Sequence, residues 1–295
     1  MKTDNTEKRF YKEMRESLLR LKPKEMEITF RRISKQNRER LHACTLMMPN
    51  AAAAPTFYFE DLLEAYQNGI SADELAQSLI RFARENNLST IPGGIDPEDY
   101  ESVKSNLGIV VIGEENNREY LKDMIHKKIE DLALVPIIFT NDAHGTGCIK
   151  ISKSLQEKWG VSENEIIDEA IINAPEVMPP TFRNLNEIIG MEEDEEDEEE
   201  IYVISNRYYA GGASVAFYPG FLDCIGMALK RNLFILPSSV NELIVVTDRG
   251  QNPHRFLEIV REVNRSQVAP GDILTDAVYY YSRGEGFRRI LPIMA

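Results

Sequence analysis

Four histidines and three cysteines are the side chains of this sequence best suited to general-base, nucleophilic or soft-metal chemistry. One pair of them is close along the chain: His144 and Cys148, in the stretch NDAHGTGCIKIS at residues 141–152. A cysteine nucleophile needs a lowered pKa and a base within hydrogen-bond reach. His144 and Cys148 straddle a glycine turn, which permits contact without imposing it, and no known catalytic signature surrounds Cys148. Cys44 lies in an extended apolar run and Cys224 on the inner side of a predicted helix, where cysteine acts as a small hydrophobe. The other histidines, His42, His126 and His254, make no H-x-x-x-H or H-E-x-x-H spacing, and no metal site is expected. There is no C-x-x-C pair, no G-x-S-x-G elbow and no glycine-rich phosphate loop, so no cofactor is expected either. Pro237-Ser238-Ser239 suits a turn between strands.

The elements that would position these residues follow from periodicity. Phe10, Met14, Leu18 and Leu21 recur at helical spacing over residues 7–21. Met26, Ile28 and Phe30 alternate with polar residues, and a second extended run follows at 41–48, with RRISKQNRER reading as the polar connection of a hairpin. That connection is the one locally basic place in the chain. Ser71 with Glu74, and Ser162 with Glu165, have capping-box spacing at two helix starts, and Asp96-Pro97 reads as an N-cap and N1 pair at a third. The second helix is expected to stop near Asn173, with an irregular stretch after Pro175. GIVVIG at 108–113 is a buried strand, and further strands are expected at 129–140, 148–152, 201–205 and 213–218. NLFILP, ELIVV and a closing hairpin at 277–291 follow.

Sliding the chain by 66 residues lays 135–160 over 201–226 without a gap. Val135, Ile137, Ile149, Ile151, Leu155 and Trp159 then meet Ile201, Val203, Val215, Phe217, Phe221 and Ile225. Each copy reads strand, glycine turn, strand, helix, which suggests a duplicated ββα unit. The second copy has Ala210 and Ser214 where the first has His144 and Cys148, so the turn asks for Gly145 and Gly211 and for neither reactive side chain.

Net charge is −14, and nine of the negative charges stand in one unbroken run at residues 192–200; without them it is −5 (−14 plus 9). Such a run reads as a solvated acidic linker, 191–200. No general basic footprint is present, so neither nucleic acid nor an anionic membrane is an expected partner. The N-terminus shows no signal-peptide pattern and the longest apolar run is far short of the ~20 residues of a membrane span, so a cytoplasmic setting is expected.

The stretches GGASVAFYPGFLDCIGMAL, LFILPSSVNELIVV, REVNRSQVAPGDILTDAVYYY and APTFYFEDLLEAYQNG resemble a gram-positive bacterial family known only as a domain of unknown function. The two β-α units are similar, more distantly, to another bacterial family of that kind. The resemblance implies an α+β architecture with a variable acidic insert, in the bacterial cytoplasm, and implies no activity. The reading is therefore an α+β protein. An N-terminal helical region with a hairpin spans 1–128, and a duplicated ββα region of mainly antiparallel sheet spans 129–295. The expected function is non-enzymatic binding or regulation through a protein partner. The alternative is a hydrolase or thiol enzyme using Cys148 and His144. The surface expected to bind is the pair of glycine loops carrying Asn141, His144, Gly145 and Cys148 on one side, and Asn206, Arg207 and Gly211 on the other.

Overall fold

The computed structural model describes residues 2–51, 54–86, 94–142, 145–190 and 200–291. The chain is α+β and divides into two compact units, Met1–Ile95 and Asp96–Ala295. The sequence puts a division near 128. However, the strand Leu107–Gly113 hydrogen-bonds along its whole length to Leu132–Asp142, which places it in the C-terminal unit.

In the N-terminal unit, helix α1 (Lys2–Leu21) precedes strands β1 (Glu27–Lys35), β2 (Arg38–Met47) and β3 (Thr56–Tyr58). Helices α2 (Leu63–Gln67) and α3 (Ala72–Glu85) follow. Phe10, Met14 and Leu18, four residues apart, are fully buried and pack with Cys44, Leu46 and the Leu75–Ile80 face of α3. Removing each such side chain from water stabilises by about 1.5–3 kcal/mol. The capping box at α3 is complete: Ser71 accepts from the Glu74 N–H, and Glu74 accepts from the Ser71 N–H at 2.9 Å. The hairpin connection is shorter than the sequence suggests. The β1–β2 ladder continues to Lys35↔Arg38, so the connection is only Gln36-Asn37, with Asn37 in the left-handed region at φ 57°. Arg31 and Arg32 are consequently strand residues and not loop residues. The alternation that would have shown this is broken by the Arg-Arg pair and by the register shift between Ile33 and Lys35.

The C-terminal unit holds two antiparallel sheets. In the first, β4 (Leu107–Gly113) flanks one side of β6 (Leu132–Asp142), and β5 (Lys127–Ile129) and β7 (Gly145–Lys150) share the other. All seven residues of β4 are buried, as its unbroken apolar run requires. The second sheet has six strands: β8 (Pro180–Asn184), β9 (Ile201–Asn206), β10 (Leu233–Pro237), β11 (Leu243–Thr247), β12 (Val278–Ser282) and β13 (Gly286–Ile290). They are ordered β13-β12-β10-β11-β9-β8. The helices are α4 (Tyr100–Val103), α5 (Arg118–Leu121), α6 (Lys153–Trp159), α7 (Glu163–Val177), α8 (Leu185–Ile189), α9 (Phe221–Leu229) and α10 (Pro253–Ser266). Asp131, in the turn between β5 and β6, accepts from Tyr279 Oη (2.7 Å) and Thr275 Oγ1 (3.0 Å) and faces Arg289 Nε at 3.4 Å, joining this turn to the β12–β13 region.

Three local expectations are corrected. Asp99, not Asp96, caps α4; Asp96 instead accepts the Glu98 N–H in the turn before it. Helix α7 runs two residues past Pro175, and the stretch after it forms β8 against β9. Residues 212–217 are a 3-10 helix and not a strand. The sequence GASVAF alternates like a strand, but Gly212, Ala213, Ser214, Val215 and Ala216 are all buried, and the Ser214 hydroxyl turns back to donate to the Gly211 carbonyl at 2.8 Å. A Cβ on Gly212 would stand 2.2 Å from Ser205 Oγ and 2.3 Å from the Asn241 carbonyl oxygen, so only glycine admits this close turn. Residues 135–160 do form β6, β7 and α6, whereas 201–226 form β9, the 3-10 helix and α9. The second copy thus lacks the second strand of a ββα unit.

Candidate functional site

The two glycine loops named by the sequence do meet. Asn141, at the end of β6, donates from Nδ2 to Tyr208 Oη at 3.4 Å, and the Phe139 and Tyr208 rings lie 4.8 Å apart. Most of the other polar atoms there hold the loop itself. Asn206 is fully buried; its Nδ2 donates to the Ala210 carbonyl at 2.8 Å and its Oδ1 accepts the Tyr208 N–H at 3.0 Å. Gly211 sits at φ 64°, and its N–H donates to Asn241 Oδ1 at 3.0 Å. A Cβ at Gly211 would approach Val110 Cγ1 to 2.5 Å. The exposed Arg207 donates its backbone N–H to the Pro179 carbonyl, and Gly145 pairs with Asp142 across the β6–β7 ladder.

Cys148 lies in β7 opposite Phe139 and is exposed, as is Cys224, which the sequence placed on the inner side of its helix. Only Cys44 is buried, its thiol pushed up to about 12 by burial. Partial desolvation within the strand also raises the Cys148 thiol above its ordinary value, with Lys150 opposing the shift. A raised thiol is the reverse of what nucleophilic activation requires. His144 lies outside the described residues. Among the described residues, no three His, Cys, Asp or Glu side chains are placed to hold a metal ion.

A cluster of polar and cationic side chains stands elsewhere, in the N-terminal unit. A groove of about 460 Å³ opens between α1 and the β1–β2 hairpin. Helix α1 contributes Tyr11, Lys12 and Arg15, three residues of one face because 11 and 15 are a helical turn apart. Strand β1 contributes Phe30, Arg31 and Arg32, and β2 contributes His42 and Ala43, which pair across the ladder with Arg32 and Arg31. The Arg15 guanidinium lies 4.8 Å over the Phe30 ring, which fixes one cation on an aromatic base.

At the floor, the Tyr11 and His42 rings are 4.0 Å apart between centroids. Glu60 accepts from the His42 backbone N–H at 2.9 Å, lies 2.9 Å from His42 Nδ1, and accepts from the Tyr11 hydroxyl at 3.2 Å. Burial alone would raise the Glu60 pKa. The bonds from His42 and Tyr11 outweigh it and hold the carboxyl below the usual carboxylate range. An ionised Glu60 can only accept, so His42 Nδ1 carries the proton between them. The Tyr11 hydroxyl is raised by burial and by its 2.5 Å bond to Glu7. A carboxylate orienting an imidazole is also how a general base is held. The thiol of β2, Cys44, is buried and protonated, so it adds no thiolate to this floor.

The sequence carried one signal of this groove, the arginine run 31–40, and assigned it to a loop. Tyr11, His42 and Glu60 gave none, because only the helix–hairpin packing brings them together.

The model of a family described as a family of unknown function (DUF5688) matches residues 7–283. No curated protein and no solved structure gives a match to the chain.

Proposed function

The chain belongs to this family of unknown function, DUF5688, and from that premise we propose that it is a non-enzymatic binding or regulatory protein of the bacterial cytoplasm. In this reading the groove between α1 and the β1–β2 hairpin takes an acidic segment of a protein partner. The carrying observation is charge placement. Lys12, Arg15 and Arg32 line one concave surface of a chain whose net charge is −14. The aromatic floor of Tyr11, His42 and Phe30 offers area for an extended backbone to lie on. Exposed pairs are each worth only about 0.2–1 kcal/mol, so several must act together to hold a ligand. Arg15 and Arg32 act together here with Lys12, which also lies 3.9 Å from Glu16, and such cations favour fast, salt-sensitive association. Arg31 leaves from the other face of the strand.

The test is fluorescence anisotropy with a labelled decapeptide of alternating Glu and Ser, titrated with the full chain. The expected result is saturable binding that weakens as salt rises, since a Debye length of about 8 Å at physiological salt screens exposed charges. Arg31→Glu/Arg32→Glu, with its fold verified by circular dichroism, replaces two cations by two anions. On the order of 2 kcal/mol, or more than tenfold in Kd, should be lost. Equal binding by the folded double variant and the wild type would refute the reading.

A further inference from the structure

A second cationic hollow lies in the C-terminal unit, at one end of the six-stranded sheet. Leu233, the first residue of β10, pairs with both Thr247, the last of β11, and Tyr281, near the end of β12. Three chain segments therefore meet at that end. The α9–β10 turn brings Lys230, Arg231 and Asn232; the end of β11 brings Asp248; and the β12–β13 turn brings Arg283. They enclose about 460 Å³. Gly226 opens the floor: a Cβ there would lie 3.4 Å from the Arg231 carbonyl oxygen and 4.0 Å from Arg283 Cγ.

The charge of the hollow is unbalanced. Three cations face one carboxylate, and Asp248 already accepts from Tyr280 Oη at 2.6 Å and from the Gly250 N–H at 2.9 Å. The neighbouring Asp223 accepts from the Tyr281 hydroxyl. None of Lys230, Arg231 and Arg283 forms an ion pair among the described residues. Lys230 also stands in the left-handed region, at φ 54°, where a helix C-terminus ordinarily takes glycine. The helix dipole favours a cation at that end but returns less than the conformation costs.

We propose that this hollow binds the phosphate group of a small phosphorylated molecule. Two guanidinium forks and an ammonium match the several peripheral oxygens and double charge of a phosphate monoester, whereas a single carboxylate would leave the site positive. This site is independent of the N-terminal groove and of the reading given to it.

The test is isothermal titration calorimetry of the full chain with inorganic phosphate, glycerol 3-phosphate and AMP as separate probes. Saturable binding of at least one, with Kd of about 1 mM or tighter, is expected. Binding of inorganic phosphate alone identifies the free ion as the ligand; tighter binding of either ester identifies a phosphorylated metabolite. Arg231→Gln/Arg283→Gln should weaken binding about tenfold or more, and Arg31→Gln/Arg32→Gln should leave it unchanged. Lys230→Gly supplies a second readout that loss of fold cannot mimic: it relieves the left-handed strain and raises Tm while weakening binding. Failure of all three probes to saturate, or wild-type affinity in both C-terminal variants, would overturn the proposal.

Discussion

Gly211 and Gly220 form an internal control for the view that Gly211 is a structural pivot of its loop and not a ligand contact. Both lie in the left-handed region, at φ 64° and 70°. Replacing either by alanine brings the same backbone strain, roughly 1–2 kcal/mol, partly offset by the smaller entropy of the unfolded chain. Their surroundings differ. Nothing lies within 4 Å of a Cβ at Gly220, whereas one at Gly211 would stand 2.5 Å from Val110 Cγ1 and 3.3 Å from Val110 Cβ. Val110 is only 8% exposed in the buried strand β4, so its side chain cannot swing away into solvent. Overpacking of this kind adds about 1–3 kcal/mol. Gly220→Ala should therefore cost about 1 kcal/mol, and Gly211→Ala about 2–4 kcal/mol. The assay is urea unfolding read by Trp159, the one tryptophan of the chain. It belongs to the C-terminal unit, where it packs on Tyr100 and donates to the Pro97 carbonyl at 3.0 Å. At a slope of roughly 2 kcal/mol/M, the midpoint of Gly211→Ala should fall below that of Gly220→Ala by about 0.5–1.5 M. Coincident midpoints would show that Val110 moves freely and that the close approach has no energetic meaning.

Two further outcomes follow from the titrating groups. Alkylation of Cys148 by iodoacetamide, followed by peptide mass spectrometry to separate it from the exposed Cys224, should rise with an inflection above the ordinary thiol value of about 8.5, because desolvation raises this thiol; an inflection below about 7.5 would instead restore the thiol-enzyme reading. Glu60→Gln should lower stability near neutral pH by about 1–3 kcal/mol, since it replaces an ionised acceptor of bonds from His42 and Tyr11. The folded pKa of Glu60 is depressed, so its contribution is complete above the unfolded value of about 4.3 and is lost as pH falls through the lower folded value. The difference in Tm between wild type and variant, followed by far-UV circular dichroism, should close over that acid range, and a constant difference down to about pH 2 would contradict the assignment.

What the sequence conveyed follows from the range of the forces involved. Helix α1 was legible because Phe10, Met14 and Leu18 bury one face at a local period, and β4 because seven consecutive residues are all interior. The 3-10 segment misled for a related reason. Alternation marks a strand only when one face is wet, and residues 212–216 are buried on all sides. The arginines of β1 misled in the opposite sense: Arg31 and Arg32 are exposed strand residues whose side chains erase the alternation, and the bulge near Ile33 erases it further. The end of β6 and the turn after β9 touch through Asn141 and Tyr208. That Asn206 and Gly211 hold the loop together was hidden, because their partners Ala210, Asn241 and Val110 come from the turn itself, a distant connection and another sheet.

The overall charge of −14 concealed the most suggestive feature of the molecule. Net charge governs solubility and long-range approach, and it argues against a general affinity for polyanions. It does not describe a hollow a few ångströms across. At physiological salt a charge farther than about 8 Å away is largely screened, so an anion inside either groove responds first to the cations that line it. Both units use the same means to gather those cations. Arg31 and Arg32 stand on a strand beside a helix face bearing Lys12 and Arg15, and Lys230, Arg231 and Arg283 stand on turns that one strand end aligns. In each case residues far apart in sequence acquire a common sign of charge only through the fold. An acidic chain with two cationic hollows would exclude anions it does not fit while retaining those that reach inside.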